Sequence, residues 1–190
     1  ISVSPDNTKV AFGIDTVSRR QYTLKIKDLI SDKLLETKIE NTTGGSVWAA
    51  DNATLFYNKK DDQTLRSEAV YKHQINSTKQ ADQLVFEEVD ETYSVYVSSS
   101  KSREFIFISS HSTTTSEHRF IRSDQPEADF KIIQTRTTGL EYDVAHFGDH
   151  FYIHTNFNGA TNFQIMRTAI DQTSSEFWEP LLPHRKDVLI

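Results

Sequence analysis

The chain has 190 residues, which is enough for one sizeable core and, at roughly 100–200 residues per domain, points to a single domain. Its 27 Asp and Glu against 21 Lys and Arg give a formal net charge of −6, which argues against nucleic acid or an anionic membrane surface as the main partner. The absence of cysteine excludes disulfides, thiolate metal sites and thiol nucleophiles, and no apolar run approaches the roughly 20 residues of a membrane helix.

The opening residues ISVSPDNTKVAF lack a basic region leading into an apolar stretch, so no signal peptide is expected. From there, short apolar runs rich in aromatic and β-branched residues follow one another, bounded by Asp, Asn, Ser, Thr or Gly. In chain order they predict strands at Ile1–Val3, Lys9–Ile14, Tyr22–Lys27 and Leu34–Ile39. Next come Ser46–Trp48, Thr54–Asn58, Glu68–Gln74 and Gln83–Glu88. Ser94–Ser98, Glu104–Ser109, Glu117–Arg122 and Phe130–Gln134 form a third group, and Tyr142–His146, His150–Thr155, Asn162–Thr168 and Trp178–Leu182 a fourth. Only Thr173–Trp178 reads as a short helical turn, capped by a Ser or Thr.

The four groups are in phase. SPDNTKVAF, AADNATLFY, SSKSREFIF and HFGDHFYI each place a polar turn before a strand, and Val10, Leu55, Phe105 and Phe151 occupy equivalent places. Four strands recurring every ~40–50 residues is the pattern of propeller blades, whereas a sandwich would not repeat one register four times. The fold class is therefore all-β, a β-propeller of about four four-stranded antiparallel blades. The expected blades are 1–44, 45–92, 93–138 and 139–186, with 187–190 opening a further one. The piece is expected to be an open part of a larger propeller, and its free strand edges would favour self-association.

The strings SPDNTKVAFGIDTVSRRQYTLKIKDL, SVWAADNATLFYNKKDDQTLRSEAVYKH, LVFEEVDETYSVYVSSSKSREFIFISSHSTTTSEHRFI, EYDVAHFGDHFYIHTNFN and PLLPHRKDVL follow in this order. Together they resemble the N-terminal propeller of the oligopeptidase B (protease II) branch of the prolyl oligopeptidase family of serine peptidases. The resemblance covers essentially the whole chain. It implies a seven-bladed propeller set against a C-terminal α/β-hydrolase domain, which would carry the Ser-Asp-His triad and the carboxylates that select a basic residue. It further implies cleavage of short peptides after Lys or Arg, exclusion of folded proteins by the propeller, and a cytoplasmic location with the periplasm as the alternative. None of the hydrolase domain is present here. The six glycines, Gly13, Gly44, Gly45, Gly139, Gly148 and Gly159, frame no serine as a nucleophile elbow requires, and no P-loop, dinucleotide fingerprint or zinc-protease motif occurs. The chain by itself is expected to be non-catalytic and to need no cofactor. Two other readings stay open at this point: a prolyl oligopeptidase proper, and a free-standing propeller used as an interaction scaffold.

In an up-and-down blade, the loops after the second strand and the links to the next blade share one face. The second-strand loops here are 16–20, 59–67, 111–116 and 157–161, and the resemblance assigns this face to the hydrolase domain. Arg19 and Arg20 are the sharpest candidates, since a guanidinium there can hold a peptide or domain carboxylate in a bidentate pair. Asp61, Asp62 and Arg66 are candidates for contact with the hydrolase domain or a basic peptide, against the plainer reading of a solvated loop. The run Glu87, Glu88, Asp90 and Glu91 reads as a solvated charge run rather than a device for attracting cationic peptides. His146, His150 and His154 straddle a turn and a strand without zinc-like spacing, so no metal site is assigned. Trp48 and Trp178 are expected between blades. The sequons at Asn41, Asn52 and Asn76 carry no weight without a secretory signal.

Overall fold

The computed structural model describes residues 1–75 and 82–190; the Asn76 sequon lies outside them. The described residues form fifteen strands. These are β1 (Ser2–Val3), β2 (Lys9–Ile14), β3 (Tyr22–Asp28), β4 (Leu34–Trp48), β5 (Thr54–Lys60), β6 (Ser67–Gln74) and β7 (Gln83–Glu87). They continue with β8 (Ser94–Ser99), β9 (Phe105–His111), β10 (Ser116–Arg122) and β11 (Lys131–Gln134), then β12 (Tyr142–Phe147), β13 (His150–Thr155), β14 (Gln164–Ala169) and β15 (Glu179–Leu182). All pair antiparallel with their chain neighbours, in one seven-stranded sheet, β1 to β7, and two four-stranded sheets, β8 to β11 and β12 to β15.

The chain thus folds as an open partial propeller. The turn between the first and second strands repeats in detail. Ser4, Ala49 and Ser100 each donate their N–H across the turn, to Lys9, Thr54 and Phe105, at 2.8–2.9 Å. Asn7, Asn52 and Arg103 occupy the same left-handed position at φ 59, 59 and 64°. Asparagine tolerates that conformation because its short side chain can bond locally; arginine has no such relief. The fourth unit shortens the turn around Gly148, at φ 60°.

One boundary differs from expectation. Leu34–Ile39 and Ser46–Trp48 are two parts of a single 15-residue strand, β4. Its first half pairs with β3 and its second with β5, and Thr42 faces both Tyr22 and Lys59. Left-handed Asn41 and Gly44 turn the strand between the halves without breaking the ladder. The sheet then folds over itself. Ala11 and Ile26 pack on Trp48 and Leu55, and the Trp48 indole N–H donates to the Ser2 carbonyl at 3.1 Å. At the bend a Cβ added to Gly13 would lie 2.5 Å from Gly44 Cα, and one added to Gly44 would lie 2.7 Å from the Tyr22 ring. Backbone meets backbone there, which only glycine permits.

The core sits in the seams between units. Val47, Phe56 and Val70 meet Val95, Ile106 and Ile108 in the second seam. In the third, the Phe151 ring packs edge-on against Phe105, Phe107 and Phe120 at 5.0–5.8 Å, and Trp178 closes it against Tyr142 and Phe157. Such ring pairs contribute about 0.5–1.5 kcal/mol each beyond their burial. Both tryptophans therefore lie between units. The predicted helical turn is a 3-10 turn at Ser175–Phe177, but the Ser174 hydroxyl donates to the Glu176 carboxylate and caps no backbone group.

Candidate interface on the second-strand loops

Alternation of antiparallel turns brings loops 15–21, 61–66, 112–115 and 156–163 to one end of the sheets, together with links 88–93 and 135–141. The first loop is built on Asp15. Its carboxylate accepts the N–H groups of Val17 at 3.0 Å and Arg20 at 2.7 Å. Partial desolvation raises its pKa, but these backbone donors outweigh that and hold it below the usual aspartate value. The Lys60 ammonium of the next unit donates to the Arg20 carbonyl at 2.6 Å. Ser18 and Arg20 are consequently locked at φ 57 and 60°. Among the described residues neither the Arg19 nor the Arg20 guanidinium has an acceptor, and both side chains are exposed.

The second loop uses its charges differently. The Asp61 carboxylate accepts the Thr64 N–H at 2.6 Å, the Gln63 N–H and the Thr64 hydroxyl, so it shapes its own turn and its pKa falls. Asp62 is exposed and accepts from the Asn41 amide. The Arg66 guanidinium donates to the carbonyls of Glu88 and Tyr93 at 3.2 and 2.8 Å, clamping the link to the third unit. The Arg20 backbone is thus tied to Lys60, the residue before the 61–66 loop, while Arg66 reaches the link to the third unit.

Sequence reasoning missed two clusters. Glu88 is not part of a solvated run: it is 4% exposed, because the link 88–93 dips into the seam. Its carboxylate accepts from Arg136 at 2.6 Å, and Arg136 also reaches Glu117 at 3.2 Å while Arg119 pairs with Glu117 at 2.6 Å. The two guanidiniums lie over the rings of Tyr93 and Phe86, at 4.1 and 4.2 Å. Burial alone would raise the Glu88 pKa; the Arg136 hydrogen bond and the Asp90 N–H reverse this and hold it below 4.5. A depressed folded value means that the stabilisation is complete above the unfolded pKa and is lost as pH falls through the folded one. The expected result is that Glu88→Gln flattens the loss of stability on acidification from neutral pH, read as urea midpoints across that range.

The second cluster joins His111 and His118, diagonal on β9 and β10, to Asp143 of β12 across the third seam. It borders a cavity of about 140 Å³ that also contacts Glu141, His154 and Phe163. Burial, and His111 beside it, lower the His118 pKa to about 4. A larger groove of about 390 Å³ opens nearby between Gln134–Leu140 and Asn156–Thr161, with Phe157 in its wall and no charged residue. His146 is structural: its Nδ1 meets the Ser102 hydroxyl at 2.7 Å and its Nε2 the Gly148 carbonyl at 2.8 Å.

Radial antiparallel sheets stacked through apolar seams, with loops gathered at one end, define a β-propeller segment. The family described as the prolyl oligopeptidase N-terminal beta-propeller domain matches residues 1–190, and the chain belongs to it. Dipeptidyl aminopeptidase BI of Pseudoxanthomonas mexicana is 38% identical over 188 residues, covering 99% of this chain and 26% of that protein. Protease 2 of Moraxella lacunata is 34% identical, over 92% of this chain and 25% of its own length. The structure of oligopeptidase B from Leishmania major superposes with a TM-score of 0.92 at 28% identity, covering 100% of this chain and 27% of that one. The chain therefore spans about a quarter of the length of the relatives it matches. Among the described residues no helix is long and apolar enough to cross a membrane.

Proposed function

We propose that this chain is the gating segment of a cytoplasmic serine oligopeptidase that cleaves short peptides after Lys or Arg. In this reading a C-terminal α/β-hydrolase domain docks on the second-strand-loop face. The observation that carries it is the whole-chain family match together with the close superposition on an oligopeptidase B. Closing the face over the hydrolase domain excludes water and admits only flexible chains. Arg19 and Arg20 supply the carboxylate-binding contact, Asp62 accompanies them, and Asp61 and Arg66 hold the shape of their loop. An exposed pair is worth only about 0–1 kcal/mol, so the arginines act chiefly on peptide capture.

The test is hydrolysis of fluorogenic peptides by the full-length protein. Cleavage after Arg but not after Pro, abolished by a serine-directed reagent, is expected; the reverse preference would refute the reading. Arg20→Ala is expected to lower kcat/KM for short basic peptides up to about fivefold, the equivalent of 1 kcal/mol. An unchanged value would remove Arg20 from the site. A second reading rests on the 38% identical relative named a dipeptidyl aminopeptidase. It predicts release of N-terminal dipeptides and loss of turnover when the peptide's amino group is blocked.

A further inference from the structure

We propose that Lys60 is a positioning residue for Arg20: its ammonium, reaching over from the second unit, holds the 15–21 loop of the first unit in its binding shape. The inference rests on the reading of that loop as a carboxylate-binding contact and adds the group that keeps it ready. The loop needs holding. Ser18 and Arg20 both stand in the left-handed region, at φ 57 and 60°. A residue with a β-carbon leaves that region unless surrounding bonds impose it. Inside the loop, the Asp15 carboxylate accepts the N–H groups of Val17 at 3.0 Å and Arg20 at 2.7 Å. Those bonds fix the peptide group that precedes the Arg20 α-carbon. The group that follows it ends in the Arg20 carbonyl, whose donor among the described residues is the Lys60 ammonium at 2.6 Å. With both peptide groups pinned, the direction of the Arg20 Cα–Cβ bond is set, and the guanidinium has only its rotamers left to choose. Less freedom is then lost when a ligand is captured.

Lys60 is well placed for this role. It ends β5, where it pairs with Ser67 of β6, and its own carbonyl accepts the Asn41 amide at 2.8 Å from the bend of β4. Its backbone is therefore held on both sides. Lys27, Lys38 and Lys72 each pair with a carboxylate, but among the described residues the Lys60 ammonium has none. The two aspartates that follow it are engaged elsewhere, Asp61 in its own turn and Asp62 with the Asn41 amide. A cation suits the place for a second reason. It adds positive charge beside two guanidiniums without acceptors, so the loop is fixed at no loss of attraction for an anion. A carboxylate there could not donate to the Arg20 carbonyl and would compete with the ligand.

The test uses the full-length protein and a short Arg-containing peptide. Lys60→Met, which leaves the backbone pairing of β5 with β6 in place, is expected to raise KM about two- to fourfold at unchanged kcat, less than the loss of Arg20 itself. Lys60→Arg is expected to restore KM, because a guanidinium can donate to the same carbonyl. In an Arg20→Ala background Lys60→Met is expected to add nothing, which a merely structural role would not produce. Amide hydrogen exchange of residues 15–21, followed by mass spectrometry, is expected to quicken at least about tenfold in Lys60→Met. Should Arg20→Ala alone leave KM unchanged, the capture reading falls and exchange alone judges Lys60. Unchanged exchange in Lys60→Met, or the same rise in KM with and without Arg20, would overturn the proposal.

Discussion

Arg136→Met is expected to destabilise the propeller by about 1–3 kcal/mol, between the cost of breaking an exposed pair and a fully buried one, because Glu88 is buried while the Arg136 side chain is 28% exposed. Arg136 is the only cation in hydrogen-bond contact with the Glu88 carboxylate among the described residues, and Glu88 is 4% exposed. Glu117 retains Arg119 at 2.6 Å, so the orphaned charge is Glu88. The variant must either bury a carboxylate that keeps the Asp90 N–H but has no cationic partner, or protonate it. Adding Glu88→Gln removes that charge and is expected to recover most of the loss. The checks are urea and thermal midpoints of parent, single and double variants. A single-variant loss under 1 kcal/mol would mean that water reaches the seam.

The adjacent glycines of β4 should separate sharply. Gly44→Ala is expected to cost about 2–4 kcal/mol, from holding an L residue at φ +86° and from overpacking the Tyr22 ring. Gly45→Ala should change stability by less than about 1 kcal/mol, since an added methyl there meets only the Thr43 hydroxyl at 4.0 Å and the backbone is unstrained. Parallel thermal melts decide it. Equal losses would show that the bend depends on the flexibility of the pair and not on the conformation of Gly44.

The strands were legible because each is a short aromatic or β-branched run with polar turns on either side. The repeat was legible because the Asp- and Asn-containing turns return in phase at Asn7 and Asn52. The continuity of β4 was hidden, since Asn41 to Gly45 reads as a turn when its flanking strands are unknown. The burial of Glu88 was hidden for another reason. Its neighbours Glu87, Asp90 and Glu91 are exposed, and its partner lies 48 residues away, in the link between β11 and β12. Pairings across a seam leave no periodic trace. The same holds for His111 and His118, which join Asp143 only once a hairpin and a seam have formed. Loop 15–21 could be recognised as a loop with two arginines. Its fixed shape could not, because the local Asp15 turn is completed by Lys60 from the next unit.

The most direct measurement compares two substrates of the full-length protein. One is a short Arg-containing peptide; the other is the same sequence held within a stably folded protein. The account predicts rapid cleavage of the peptide and none of the folded protein until it is unfolded. Equal cleavage of both, or no cleavage of the peptide, would contradict a propeller that gates a peptidase.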